Sequence, residues 1–247
     1  MWSENEAIVA IALLDGPDLL RFAVDPERCE DQTLAARITT DVADPSANVL
    51  GAGSATIEAR GAGALTAELA GSGWLPDETW TPLRCDPSAP VESPDPRIEL
   101  VEPHRTREWV SVHWSAFRGT PAPGGRLRAL ADGWSEVARG PFLDAARILL
   151  LCDEQGRPVA VSAVWSAGDG RPGLIEPLGV PQDHRGRGHG AIMTRAAAAH
   201  LRDKGACSAT VAAESTNVTA VATYRAAGFH AGTDVHDWRR VGEAPTG

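Results

Sequence analysis

Apolar residues in the second half of the chain fall into runs whose period switches between two and about 3.6 residues. Arg97-Ile-Glu-Leu-Val-Glu102 alternates as an edge strand does, whereas Trp109, Val112, Trp114 and Phe117 recur at helical spacing and predict a helix over 107–117. A second helix is expected over Arg126–Val137. Two unbroken apolar runs, Ile148–Cys152 and Val159–Trp165, flank the turn-forming Asp153-Glu-Gln-Gly-Arg-Pro158 and predict a hairpin of buried strands. Leu174–Val180 reads as another strand, followed by a glycine-spaced turn, a helix running to about Gly205, the strand Ser208–Glu214 and a helix over Val218–Ala227. This order, with a closing strand after Phe229, predicts an α/β (α+β) domain with helices on both faces of a mixed sheet.

Residues 87–96 carry Pro87, Pro90, Pro94 and Pro96 without apolar periodicity, so they read as a linker between a first unit, 1–86, and a second, 97–247. The first unit resembles a worn copy of part of the second. Leu19, Leu20 and Pro26 repeat as Leu174, Ile175 and Pro181, and Gly73-Trp74 repeats as Gly228-Phe229 the same distance along the chain. Ala55-Thr-Ile57 matches Ala209-Thr-Val211 after a slip of one residue.

A net charge of −10 argues against nucleic acid as a partner and suits a cationic amine, although solubility alone also accounts for it. No apolar stretch approaches the roughly 20 residues that span a bilayer, and the N-terminus lacks a signal peptide's basic region, so the expected location is the cytoplasm, without a membrane partner. Cys29, Cys85, Cys152 and Cys207 have no metal-type spacing; reduced thiols and no metal are expected. Either a monomer or a homodimer is compatible with this length.

The richest chemistry lies in Val180-Pro-Gln-Asp-His-Arg185-Gly186-Arg187-Gly188-His189-Gly190-Ala191. Glycines between a strand and a helix let backbone N–H groups approach an anion, with the helix dipole behind them. Downstream stands Asn217-Val-Thr-Ala220-Val-Ala-Thr-Tyr224-Arg-Ala-Ala-Gly228-Phe229. The first motif resembles the Arg-x-x-Gly-x-Gly/Ala loop, and the second the Asn-x-x-Ala-x-x-x-Tyr-x-x-x-Gly-Phe pattern, of the GNAT superfamily of N-acetyltransferases. The resemblance covers about residues 148–241 and extends toward 97. It implies a mixed, mostly antiparallel sheet flanked by helices, preceded here by a smaller, degenerate unit of the same kind.

The resemblance also implies acetyl-CoA as co-substrate. Arg185, Gly186, Arg187, Gly188, His189, Gly190 and Ala191 would cradle its pyrophosphate. Backbone groups of Leu178, Gly179 and Val180 would hold its pantetheine arm where the strand splays from its neighbour, and Asn217, Ala220 and Tyr224 would complete the site. Asn217 equally suits a helix N-cap, and Gly179 a simple bend in the strand. Tyr224, the sole tyrosine, matches the family's general acid; an ordering hydroxyl is the competing reading. Glu176 matches a carboxylate base that some members use, with His113, His236 and Asp237 as lesser candidates. Trp114, Trp134, Trp165 and Trp238 suit either core packing or the wall of an acceptor pocket. The first unit replaces the cradle by Glu30-Asp-Gln-Thr-Leu-Ala35, with carboxylates where phosphate would sit, and Tyr224 and Asn217 by Leu69 and Ala62. The expected function is transfer of an acetyl group to a primary amine of a small molecule such as an amino sugar; a silent acyl-CoA sensor or a protein N-acetyltransferase are the alternatives.

Overall fold

The computed structural model describes residues 1–44, 46, 49–51, 53–87, 95–137, 139–141 and 143–242. In chain order the elements are β1 (Trp2–Glu4), β2 (Ala7–Leu14), β3 (Leu19–Val24), α1 (Gln32–Ala43), β4 (Ala55–Glu58), α2 (Gly63–Gly71), β5 (Leu75–Cys85), β6 (Ile98–Leu100), α3 (Thr106–Arg118), α4 (Gly124–Val137), β7 (Ala146–Cys152), β8 (Pro158–Ser166), β9 (Pro172–Gly179), α5 (His189–Asp203), β10 (Ser208–Glu214), α6 (Val218–Ala226), β11 (His230–Ala231) and β12 (Val235–Arg240). They form two compact units. One comprises Met1–Trp80, Glu214–Thr216 and β12; the other comprises Thr81–Ala213 and Asn217–Thr233. The closing strand, expected from sequence with the second unit, thus groups with the first. Most of the expected linker, residues 88–94, lies outside the described residues.

In the second unit the strand order is β5, β10, β9, β8, β7, β6, with β11 against β5. β9 and β10 pair parallel, and β6, β7, β8 and β9 pair antiparallel in succession. The unbroken apolar character of β7 follows from burial on both faces. Leu149 and Leu151 pack with Met193, Ala197 and Leu201 of α5, while Ile148, Leu150 and Cys152 pack with Trp109 and Val110 of α3. Leu127, Leu130 and Trp134 of α4 extend that second cluster. Truncating Leu150 to alanine would remove packing worth about 2–5 kcal/mol.

The first unit orders its strands β1, β2, β3, β4, β12, β5 and buries Leu34, Ile38, Leu65 and Leu69 from α1 and α2 with Leu20 and Ile57 from its sheet. Two backbone features recur between the units. Leu19 pairs with Thr56 in the parallel ladder of β3 and β4, as Leu174 pairs with Thr210 in that of β9 and β10. Both second helices end alike. Gly73 and Gly228 take φ of +85° and +92°, and the next residue donates back to the helix, Trp74 to Leu69 at 3.1 Å and Phe229 to Tyr224 at 3.0 Å. A left-handed glycine after the last turn closes each helix.

Candidate functional site

The parallel ladder between β9 and β10 runs from Pro172↔Ser208 to Leu174↔Thr210 and ends there, with the Thr210 hydroxyl donating to the Gly173 carbonyl at 2.9 Å. From Ile175 onward β9 keeps its ladder with β8 alone. That ladder contains a bulge, because Val164 pairs with Ile175 but Ser162 pairs with Leu178, giving β9 an extra residue at Glu176-Pro177. The extra residue resets which face each side chain takes. Ile175 and Leu178, three positions apart, both pack toward the cluster of α5, whereas Gly179 turns to α3. Glu176 is exposed on the face opposite Ile175, the α3 side. The opened stretch therefore offers main-chain groups of Leu178, Gly179 and Val180 along one edge and a carboxylate at its start.

Each glycine around the cradle has its own physical reason. Gly186 and Gly188 take φ of +73° and +80°. Those values disfavour any residue with a Cβ. A Cβ on Gly190 would lie 2.8 Å from Thr223 Cγ2, so its bare backbone lets α6 approach α5. Gly179 gives way to α3, since its Cβ would stand 2.8 Å from Ala116 Cβ and 3.1 Å from Phe117. This packing was not legible in the sequence, where Gly179 read as room for a ligand or as a bend. Helix α5 starts from Gly188 with no side-chain cap, so the first-turn N–H groups of His189, Gly190 and Ala191 lack the partner that most helices supply for themselves. Such an end fits an anionic phosphate.

Arg185 is placed differently from Arg187. Its Nε donates to the Val180 carbonyl and its Nη2 to the Ala116 carbonyl, both at 3.0 Å, so the guanidinium ties the loop to the end of β9 and to α3. Arg187 is exposed beside the cradle. His189 is half-buried, and its pKa is pushed down by burial and then by the positive neighbours Arg97, His184 and Arg187. Asn217 caps α6, its Oδ1 accepting from the N–H of Ala220 at 3.1 Å.

Tyr224 is buried in the core cluster under α6. Burial pushes its phenol up to about 12, with the Glu176 carboxylate acting in the same direction, so the two expected catalytic groups share one electrostatic environment. Of the lesser candidates, His113 is stacked on Trp109 at 5.2 Å and burial lowers its pKa, which favours neutral imidazole. His236 and Asp237 belong to the first unit: Nδ1 of His236 lies 3.0 Å from the Thr79 hydroxyl, and Asp237 is bound by Arg60 at 3.2 Å. The four cysteines are free thiols. Among the described residues no helix is long and apolar enough to cross a membrane.

The corresponding place in the first unit carries its own anion. Asp31 caps α1, its Oδ1 accepting from Leu34 N–H at 2.9 Å, and its carboxyl is held below the ordinary range by that bond and by Arg28. Glu30 crowds the start of α2, where a Cβ on Gly63 would lie 2.3 Å from Glu30 Oε1. The sequence showed carboxylates here, but only the structure shows one of them satisfying the helix end.

Comparison with known proteins accords with this geometry. Residues 107–229 match the model of the acetyltransferase (GNAT) family. A mycothiol acetyltransferase of Cellulomonas flavigena is 33% identical over 156 residues, covering 58% of this chain and 43% of that protein. One of Segniliparus rotundus is 32% identical over 138 residues, covering 51% and 48%. The chain thus spans about half the length of the curated relatives it matches. The solved structure of a tandem GNAT protein from the clavulanic acid biosynthesis pathway shares the fold at a TM-score of 0.60 and 17% identity, over 98% of this chain and 82% of that one.

Proposed function

We propose, since the chain belongs to the acetyltransferase (GNAT) family, that its second unit transfers an acetyl group from acetyl-CoA to a primary amine of a small molecule. The observation that carries this reading is the end of the β9–β10 ladder at Leu174↔Thr210, beside a helix that begins without a side-chain cap. Residues 186–191 would hold pyrophosphate through backbone N–H groups, and the edge at Leu178–Val180 would hold the pantetheine arm. Acetyl-CoA, as substrate, supplies the activated acyl group.

The chain's own residues manage the protons. Glu176 accepts a proton from the acceptor ammonium, freeing the lone pair that attacks the thioester carbon. As the C–N bond forms and the C–S bond breaks, Tyr224 donates its phenolic proton to the departing sulfur, and the proton that the new amide nitrogen sheds through solvent restores the phenol. A phenol whose pKa lies near 12 is fully protonated at neutral pH and available to donate. Asn217 and Ala220 fix the start of α6 and thereby the height of Tyr224. The acceptor approaches from the α3 side, where Glu176 is exposed and Trp134 and Trp165 lie at the cluster's edge.

The curated relatives are named for mycothiol, so the desacetyl form of mycothiol is one acceptor to test beside glucosamine, an aminoglycoside and a peptide with a free N-terminus. Release of free thiol from acetyl-CoA is measured with and without each amine. Amine-dependent release with a small molecule supports the reading; release with the peptide alone favours protein acetylation, and binding without release with any amine favours a sensor.

A further inference from the structure

The bulge that exposes Glu176 lies where the ladder is weakest. Pro177 has no N–H to donate, the partner strand on one side has ended, and Ala163 stands opposite the extra residue without a register partner. A bulge of this kind competes with a slip of one residue, and a slip moves every following side chain to the other face of the sheet. Taken up on the Ile175 side with Ser162↔Leu178 kept, the slip would set Glu176 opposite Val164 and turn its side chain to the α5 face. The fold supplies a bond at this point. Trp165 pairs with Leu174 across the ladder, and its indole Nε1 reaches past the end of the regular pairing to donate to the Glu176 carbonyl at 2.7 Å. Its half-buried ring packs at the edge of the α3–α4 cluster, so side-chain packing holds the donor on the same face to which Glu176 turns.

We propose that Trp165 is a positioning residue for Glu176: its indole N–H locks the β9 bulge and thereby aims the Glu176 carboxylate at the reaction site. This rests on the reading of Glu176 as the base. The role is separable from ordinary packing, because Trp165→Phe keeps an aromatic ring in the cluster while deleting the donor. It is also separable from donor binding, since the cradle at 186–191 gains nothing from this bond.

The sole tyrosine provides a readout that needs no acceptor. Tyr224 senses the Glu176 carboxylate, so its ionisation, followed by tyrosinate absorbance immediately after a jump to alkaline pH, reports where that carboxylate sits. Four full-length proteins are compared: wild type, Trp165→Phe, Glu176→Gln and the double variant. Removing the carboxylate in Glu176→Gln lowers the tyrosine's apparent pKa. The expected result is that Trp165→Phe lowers it as well, that the double variant falls no further than Glu176→Gln, and that calorimetric affinity for acetyl-CoA stays within about twofold in all four. With an accepted amine, Trp165→Phe then shows a kcat lowered about tenfold or more at unchanged donor affinity. A Trp165→Phe titration identical to wild type overturns the proposal, as does a shift that adds to that of Glu176→Gln, or an unmoved tyrosine in Glu176→Gln itself. If Glu176→Gln shifts the tyrosine yet keeps full turnover, the base assignment alone falls, and Trp165 is still shown to place that carboxylate.

Discussion

At the scale of single residues, the buried Tyr224 phenol lies in the field of the Glu176 carboxylate, and both are proposed to carry protons. Tyr224 and Glu176 were legible from motif position, and they share one environment in the fold. Arg185 was legible only as a ligand-facing position, and Gly179 as that or as a bend in the strand. Ala116 and Phe117 against the glycine, and the Ala116 carbonyl that accepts from the arginine, are more than 60 residues away in the chain, while the arginine's other acceptor, the Val180 carbonyl, is five residues back. No local pattern encodes such contacts. If Tyr224 donates the proton in the transition state, Tyr224→Phe lowers kcat by about 10²-fold while acetyl-CoA affinity by calorimetry changes little. A parallel loss of affinity would make the hydroxyl a binding contact. The pH dependence follows from the raised phenol: with a folded pKa near 12 against about 10 unfolded, its contribution to stability is full below pH 10 and lost as pH rises toward 12. A basic limb in the rate profile below pH 10 therefore belongs to another group. Gly179→Ala tests packing rather than chemistry. Its Cβ would press on Ala116 Cβ at 2.8 Å, so thermal denaturation should show a loss of about 1–3 kcal/mol.

At the scale of elements, period and punctuation gave helices and strands close to their observed limits. The helix expected over 107–117 runs Thr106–Arg118, and the strand Ser208–Glu214 coincides with β10. What periodicity could not carry was pairing. The bulge at Glu176-Pro177 and the early end of the β9–β10 ladder depend on partners in other segments, with Pro177 their one local sign. The two versions of the strand–turn–helix element differ at the helix start, where the proposed phosphate site lies. Helix α5 begins at Gly188 with its first-turn donors uncapped, whereas α1 begins at Asp31 with a carboxylate already accepting from Leu34. Gly188→Glu places a bulky anion at a position of φ +80°, adding charge repulsion and backbone strain at the same spot. Calorimetry should detect no acetyl-CoA binding by that variant, while its circular dichroism spectrum stays that of the wild type. Retained affinity in a folded Gly188→Glu protein would remove the cradle from the site.

At the scale of the whole molecule, the two units repeat backbone features around unlike helix starts. The register Leu19↔Thr56 repeats as Leu174↔Thr210, and α2 ends as α6 does, yet Leu69 stands where Tyr224 is and Ala62 where Asn217 is. The first unit thus has Leu20, Ile57, Leu65 and Leu69 in its core, and apolar or small residues where the second has Tyr224 and Asn217. Apolar burial needs only hydrophobic residues of suitable volume, while phosphate binding needs open donors and no competing carboxylate. Acetyl-CoA should therefore bind with one equivalent per chain by calorimetry. At a hundredfold excess over its dissociation constant it should raise stability by about 2.7 kcal/mol, visible as an upward shift of the melting transition. Asp31→Gly in the first unit should leave the stoichiometry at one, because Glu30 still crowds the neighbouring helix start, whereas Gly188→Glu in the second should bring it to zero. Two equivalents bound to the wild type would give the first unit a donor site of its own, and one retained by Gly188→Glu would place donor binding away from residues 186–191; either overturns the division of labour argued from the two helix ends.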